Sequence, residues 1–221
     1  LLSRRQRQMC IRDRYKAIPV DKITSHPPTM VGVDLSVRDD FSTVTYNIYS
    51  PDTKSFHSVT DYYFPEGALP GHPNRELYEG WVKAGYLKLC PGEVIDYEMI
   101  VNDILARAKY LKILGIGYDP YKSAEFVNLL SASTGDASDY IQPVKQTYGS
   151  FTSPIESFEL ALHRNRMTFD PNPITPYCFG NAVLDEDRNM NKKPVKRTHN
   201  SKIDSTITNL MTFNLFNNLT I

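Results

Sequence analysis

Cysteine is scarce in this chain. Cys10, Cys90 and Cys178 are scattered without metal-ligand spacing, which argues against a secreted disulfide scaffold and fits a reducing compartment. Long apolar runs are missing too, since nothing approaches the roughly eighteen residues that a membrane span requires. The basic N-terminus LLSRRQRQMCIRDRYK lacks the apolar core of a signal peptide. A soluble cytoplasmic protein without membrane contact is expected. No charge sign prevails: 25 Lys and Arg balance 25 Asp and Glu, so a nucleic-acid partner has to be sought in local charge. There is no G-x-x-x-x-G-K-[ST] loop to cradle phosphates, and no repeat or low-complexity stretch.

What is present is enough for one sizeable domain, or at most two small ones, in 221 residues. Residues 1–14 stand apart. Gln8 to Arg14 (QMCIRDR) reads either as a translated sequencing-adapter read or as a solvated basic arm, and neither belongs in a core. Residues 15–29 form an extended, proline-containing linker, because Pro19, Pro27 and Pro28 oppose a helix. The folded domain is expected over 30–221.

Within it, Met30 to Leu35 (MVGVDL) suits a buried strand. Thr43 to Tyr49 alternates, with Val44, Tyr46 and Ile48 on one face, and Phe56 to Phe64 completes an antiparallel meander. Helical spacing continues over Pro73 to Ala84, then a short apolar stretch, Tyr86 to Cys90. Asp96 caps a helix carrying Ile100, Ile104, Leu105 and Ala108. Lys112 to Tyr118 reads as a strand running into Asp119, followed by a helix from Ser123 to Leu130 and a strand from Tyr140 to Val144. Ser153-Pro154-Ile155-Glu156 reads as a capping box opening a helix to about His163, and a last helix begins near Asp204. This order predicts an α/β fold, a mixed sheet flanked by helices of the ribonuclease H-like kind.

Three acids hold positions where chemistry is possible. Asp34 sits in an apolar strand and needs a compensating partner such as a cation. Asp119 ends a second apolar strand, and Asp204 opens the final helix after a basic run. Singly, each has a plain explanation: a turn former at a strand end, or a helix N-cap. Together over one sheet edge they suit phosphodiester cleavage, in which carboxylates hold two Mg²⁺ or Mn²⁺ ions roughly 4 Å apart.

The stretches around these acids carry a resemblance. VGVDLSVRDDFSTVT is centred on Asp34; Tyr78-Glu79-Gly80-Trp81 through Gly85-Tyr86-Leu87 comes after it, then Pro91 to Tyr97. Next come Gly117 to Tyr121 around Asp119, Gln142 to Gln146, Ser153-Pro154, Gly180 to Val183, and Lys202-Ile203-Asp204. In this order, from about Val31 to Phe213, the chain resembles the C-terminal nuclease domain of tailed-phage large terminase subunits. The resemblance implies a ribonuclease H-like endonuclease that cuts concatemeric viral DNA in the host-cell cytoplasm. Asp34, Asp119 and Asp204 are then the catalytic metal ligands for Mg²⁺ or Mn²⁺. It implies double-stranded DNA as partner and, in a full motor, an ATPase domain, a small terminase subunit and a portal protein. The chain is then expected to be a fragment without its motor half. Ser205 departs from the family, which often has glycine or proline there.

Lys192, Lys193, Lys196, Arg197 and Lys202, with His199, form a basic segment beside the third acid, read either as a solvated loop or as a phosphate-contacting hairpin or loop. Asp39 and Asp40 read as turn residues, and His163 as a helix-end residue near the negative end of the dipole. An actin-like kinase would need a glycine-rich turn directly after Asp34, where Leu35-Ser36-Val37-Arg38 stands instead. A resolvase- or integrase-type nuclease of the same fold explains the acids but not the ordered middle motifs. A catalytically weak DNA-docking module is the non-enzyme alternative.

Overall fold

The computed structural model describes residues 26–38, 40–135 and 140–219; the arm expected at 1–14, the linker up to residue 25 and Asp39 lie outside the described residues. The first three apolar segments form β1 (Pro28–Asp34), β2 (Ser42–Ser50) and β3 (Ser55–Pro65), paired antiparallel in succession. Two further strands run parallel outward from β1: β5 (Lys112–Tyr118), then β6 (Ile141–Pro143). On the opposite edge, β4 (Lys88–Cys90) and β7 (Met167–Phe169) both join β3, one near each of its ends. The resulting order is β4-β3-β2-β1-β5-β6, the expected mixed sheet. A separate hairpin, β8 (Ala182–Glu186) and β9 (Lys192–Lys196), stands off it.

Six helices cover the sheet among the described residues: α1 (Arg75–Lys83), α2 (Tyr97–Ala108), α3 (Ala124–Thr134), α4 (Tyr148–His163), α5 (Ile174–Asn181) and α6 (Asp204–Asn217). Strand alternation divides the core. Val31, Val33, Val44 and Tyr46 pack on one face with Ile100 and Ile104 of α2 and Phe126 and Leu130 of α3. Met30 lies on the other face with Phe151, Ile155 and Phe158 of α4 and Ile207, Leu210 and Met211 of α6. The Asp96 cap forms as expected, its Oδ1 accepting from the Met99 N–H at 3.1 Å.

Helix α6 is the central buried element, with every residue from Asp204 to Phe213 inside. Its contact with the sheet is partly polar. Thr208 Oγ1 lies 2.6 Å from Thr45 Oγ1, Asn47 Nδ2 donates to Thr212 Oγ1 at 2.7 Å, and Ser58 Oγ donates to Asn209 Oδ1 at 2.8 Å. Small side chains allow a very close approach. A Cβ built on Gly32 would stand 2.2 Å from the Thr208 carbonyl oxygen, so only glycine fits at that point of β1.

The expected capping box at Ser153 is corrected. Helix α4 starts at Tyr148, capped by Thr147, whose Oγ1 accepts from the Ser150 N–H at 3.2 Å. Pro154 therefore sits inside the helix and has no N–H for the Ser150 carbonyl. Asn214 of α6 supplies the missing donor, its Nδ2 reaching that carbonyl at 2.9 Å. The basic segment is also more ordered than a loop: Lys192–Lys196 is strand β9, and irregular backbone begins only beyond it.

Candidate functional site

Asp34 and Asp119 end neighbouring parallel strands, with Val33 opposite Tyr118 and the Asp119 N–H directed at the Val33 carbonyl at 3.4 Å. Alternation puts Asp34 on the face of Met30 and Gly32, and Asp119 on the face of Gly115 and Gly117, which adjoin Leu215 of α6. That is the face α6 covers. Because Gly32 admits the Thr208 backbone, the first residue of α6, one turn earlier, comes to lie by Asp34, two residues beyond Gly32. The three acids anticipated from sequence thus line one pocket of about 250 Å³, together with Asp40, Gln146 and Lys196.

The electrostatics of this pocket are strained. Asp34 is packed round by protein, and this desolvation, reinforced by the charges of Asp204, Asp119 and Asp40, pushes its carboxyl well above the ordinary carboxylate range. Burial likewise raises Asp204 to about 7, with the Asp40 charge adding and Lys196 and Lys202 opposing. Asp204 Oδ2 is buried and accepts no hydrogen bond. Asp119 is held differently: its Oδ1 accepts from the Tyr121 N–H at 3.0 Å and its Oδ2 from Gln146 Nε2 at 2.5 Å. In the sequence Gln146 stands out only as the end of a family-like stretch, and the contact with Asp119 gives it a place in the site.

Asp40 is more than a turn residue. Its Oδ1 caps the Phe41 N–H at 3.2 Å, and its two oxygens take Lys202 at 2.8 Å and Lys196 at 2.7 Å. Burial alone would raise its carboxyl, but the two ammonium groups outweigh that and hold it low. No local pattern could have found this contact, because the lysines lie more than 150 residues further along the chain. The basic segment is divided accordingly. Lys196 and Lys202 stand at the carboxylates. Lys192 and Lys193 belong to the hairpin braced on α4, where the Lys193 ammonium is 4.5 Å from the Tyr148 ring centroid and Thr152 Oγ1 accepts the Lys192 N–H at 2.8 Å. Arg197 lies exposed just past β9.

Among the described residues, no three Asp, Glu, His or Cys side chains converge tightly enough to hold an ion as they stand. The donor set still suits a hard cation: carboxylates forced together, one with a buried oxygen that lacks a partner. No helix among the described residues is long and apolar enough to cross a membrane.

Comparison with known proteins identifies the family and the fold. The family described as terminase large subunit, endonuclease domain, matches residues 3–218. Protein YmfN of Escherichia coli K12 is 28% identical over 140 residues, covering 62% of this chain and 30% of YmfN. The large terminase subunit of Enterobacteria phage HK97 is 23% identical over 181 residues, covering 80% of this chain and 35% of its own length. The HK97 large terminase crystal structure superposes with a TM-score of 0.77 at 21% identity, over 87% of this chain and 40% of that one. The large terminase nuclease of thermophilic phage G20c, solved with bound magnesium, gives 0.54 at 9% identity over 85% and 80%. The chain spans about a third of the length of the curated relatives it matches.

Proposed function

With the chain belonging to the terminase large subunit endonuclease-domain family, we propose that it is a divalent-metal-dependent endodeoxyribonuclease whose ligands are Asp34, Asp119 and Asp204. The observation that carries this is the repulsive pocket they share, with the raised carboxyl of Asp34 and the partnerless Oδ2 of Asp204. Two Mg²⁺ or Mn²⁺ ions bound there would supply an activated water and a stabilised leaving oxygen. The bound magnesium of the G20c nuclease supports the choice of metal.

The chain's own residues do the rest. Asp34 and Asp119 sit on rigid strand ends, and Asp204 on a helix fixed to the same sheet. Lys196 and Lys202, held by Asp40, bring positive charge to where a phosphate would gain negative charge. Lys192, Lys193 and Arg197 are proposed to meet the duplex backbone further out, which positions DNA without reading its sequence. The proposed setting is the host-cell cytoplasm. The proposed partners are double-stranded viral DNA and, in a complete motor, the ATPase domain, small subunit and portal. We propose one folded domain over residues 30–221, with β1 reaching two residues further back to Pro28, preceded by a linker and by an arm at 1–14 that takes no part in catalysis.

The test is cleavage of plasmid DNA in Mg²⁺ or Mn²⁺ by the wild-type chain and by Asp34→Asn, Asp119→Asn and Asp204→Asn. Each substitution should remove most of the metal-dependent cleavage while circular dichroism stays unchanged. Cutting in EDTA, or full activity in any of the three folded variants, would overturn the assignment.

A further inference from the structure

The carboxylate pocket opens into a larger groove of about 870 Å³, sharing Leu35, Ser36, Asp40, Tyr121 and Lys196 with it. Although the whole chain is formally neutral, the described lining of this groove carries Arg38, Lys122, Lys196 and Lys202 against Asp40, and even with Glu93, which pairs with Arg38 at 3.1 Å, positive charge is in excess. An elongated anion is the ligand such a wall attracts.

The loop between β5 and α3 adds a second observation. Tyr121 comes two residues after Asp119, lines both the carboxylate pocket and the groove, and is 70% exposed. Its backbone is tied to the carboxylate pocket, since its N–H donates to Asp119 Oδ1 at 3.0 Å. Lys122, next along, lies in the left-handed region at φ 54° and carries its ammonium 5.2 Å from the Tyr121 ring centroid. A non-glycine residue rarely keeps that backbone, and such residues gather at ligand clamps. The ring and the ammonium are thus presented together at the mouth of the carboxylate pocket.

We infer that Tyr121 and Lys122 form a platform for one DNA strand: the ring stacks on the base flanking the scissile phosphate, and Lys122 meets the adjoining phosphate. The inference rests on the DNA-cleaving reading above and makes it more specific. A ring can stack only on a base whose face is uncovered, so the preferred substrate has an unpaired base at the cut. Arg38 and His199 line the same groove, on the path of the strand away from the carboxylates. Stacking does not depend on base identity, so the platform positions DNA without selecting sequence.

The experiment compares a perfect duplex with the same duplex carrying a short central unpaired bubble, using wild type, Tyr121→Ala and Tyr121→Trp. Binding is measured on the uncleavable Asp34→Asn background with 2-aminopurine in the bubble, and cleavage is measured in Mn²⁺. Wild type should bind and cut the bubble with a KM about ten-fold below that of the duplex, equivalent to about 1.4 kcal/mol. Tyr121→Ala should lose this preference and the 2-aminopurine quenching, and Tyr121→Trp should restore both. The side chain is exposed and the N–H to Asp119 survives substitution, so these variants keep the fold. A bubble preference unchanged in Tyr121→Ala, or absent from an active wild type, overturns the platform alone. A wild type that neither binds nor cuts either DNA overturns the nuclease reading with it.

Discussion

Gly32→Ala tests the geometry on which the third acid depends. The added Cβ would meet the Thr208 carbonyl oxygen at 2.2 Å, its carbon at 3.0 Å and its Cα at 3.2 Å. All three are backbone atoms, so no rotamer change relieves the clash, and α6 has to move outward by about 1 Å to restore normal contact. That movement loosens the Thr45–Thr208, Asn47–Thr212 and Ser58–Asn209 hydrogen bonds. Overpacking costs about 1–3 kcal/mol and the three weakened bonds together up to about 3 kcal/mol, for a loss of about 1–6 kcal/mol. In a domain of this size that lowers the melting temperature by roughly 2–24 °C. Asp204 shifts with the helix, and a displacement of that order should slow cleavage by about a hundred-fold, even at temperatures where the variant is folded. Gly80 is the contrast: it lies on the exposed side of α1 with nothing within 4 Å of a built Cβ. Gly80→Ala should raise stability by about 0.5–1 kcal/mol. Thermal melts by circular dichroism and Mn²⁺-dependent plasmid cleavage read both effects. A folded Gly32→Ala variant that melts within about 1 °C of wild type and cuts at the wild-type rate would refute the reasoning.

Other outcomes rest on the same geometry. Asp204 and Asp34 keep protons in the folded protein that the unfolded chain releases, so their contribution to metal-free stability is full below about pH 4 and is lost as pH rises through about 7. Melts in EDTA should therefore show a lower transition at pH 8 than at pH 5, flattened in Asp34→Asn; a transition that climbs with pH contradicts the buried-acid account. Mg²⁺ should raise the pH 8 transition in wild type and much less in Asp34→Asn, because binding to the folded state alone stabilises it. Asn214→Ala should cost about 1–3 kcal/mol by leaving the Ser150 carbonyl without a donor, and urea denaturation would measure it. Replacing Lys192, Lys193 and Arg197 with Ala should reduce the log–log salt dependence of duplex binding by about 0.9 per lost phosphate contact. An unchanged slope would return the hairpin to a solvated role.

Much of this molecule is legible in its sequence because the informative signals are local. Apolar strands ending in an acid locate Asp34 and Asp119, and the helical spacing of Ile207, Leu210, Met211 and Leu215 locates Asp204 at a helix start. Three-residue strands such as β4 and β7 are too short to show a period, and β9 is obscured by Pro194, which a two-stranded edge tolerates. Helix α5 hides behind Pro176 and Gly180. The error at Ser153 has a tertiary cause: Pro154 is a good first residue of a helix, yet Asn214, sixty residues on, makes it acceptable inside one. Asp40 passes for a simple turn residue for the same reason, since its lysine partners are brought to it only by the completed fold.

The polar seam beneath α6 has a mechanical meaning. Apolar side chains packed on a smooth sheet can slide by a fraction of a turn at little cost, because dispersion is not directional. A row of short hydroxyl and amide pairs does not slide; it works as a detent, with one position in which every tooth engages. Redesign of this domain is therefore asymmetric. The oily side of α6, at Ile207, Leu210 and Met211, can be repacked with other aliphatics of similar volume and leave Asp34, Asp119 and Asp204 aligned. Changing Thr45, Asn47 or Thr212 would leave a protein that still folds but delivers its third carboxylate to the wrong notch.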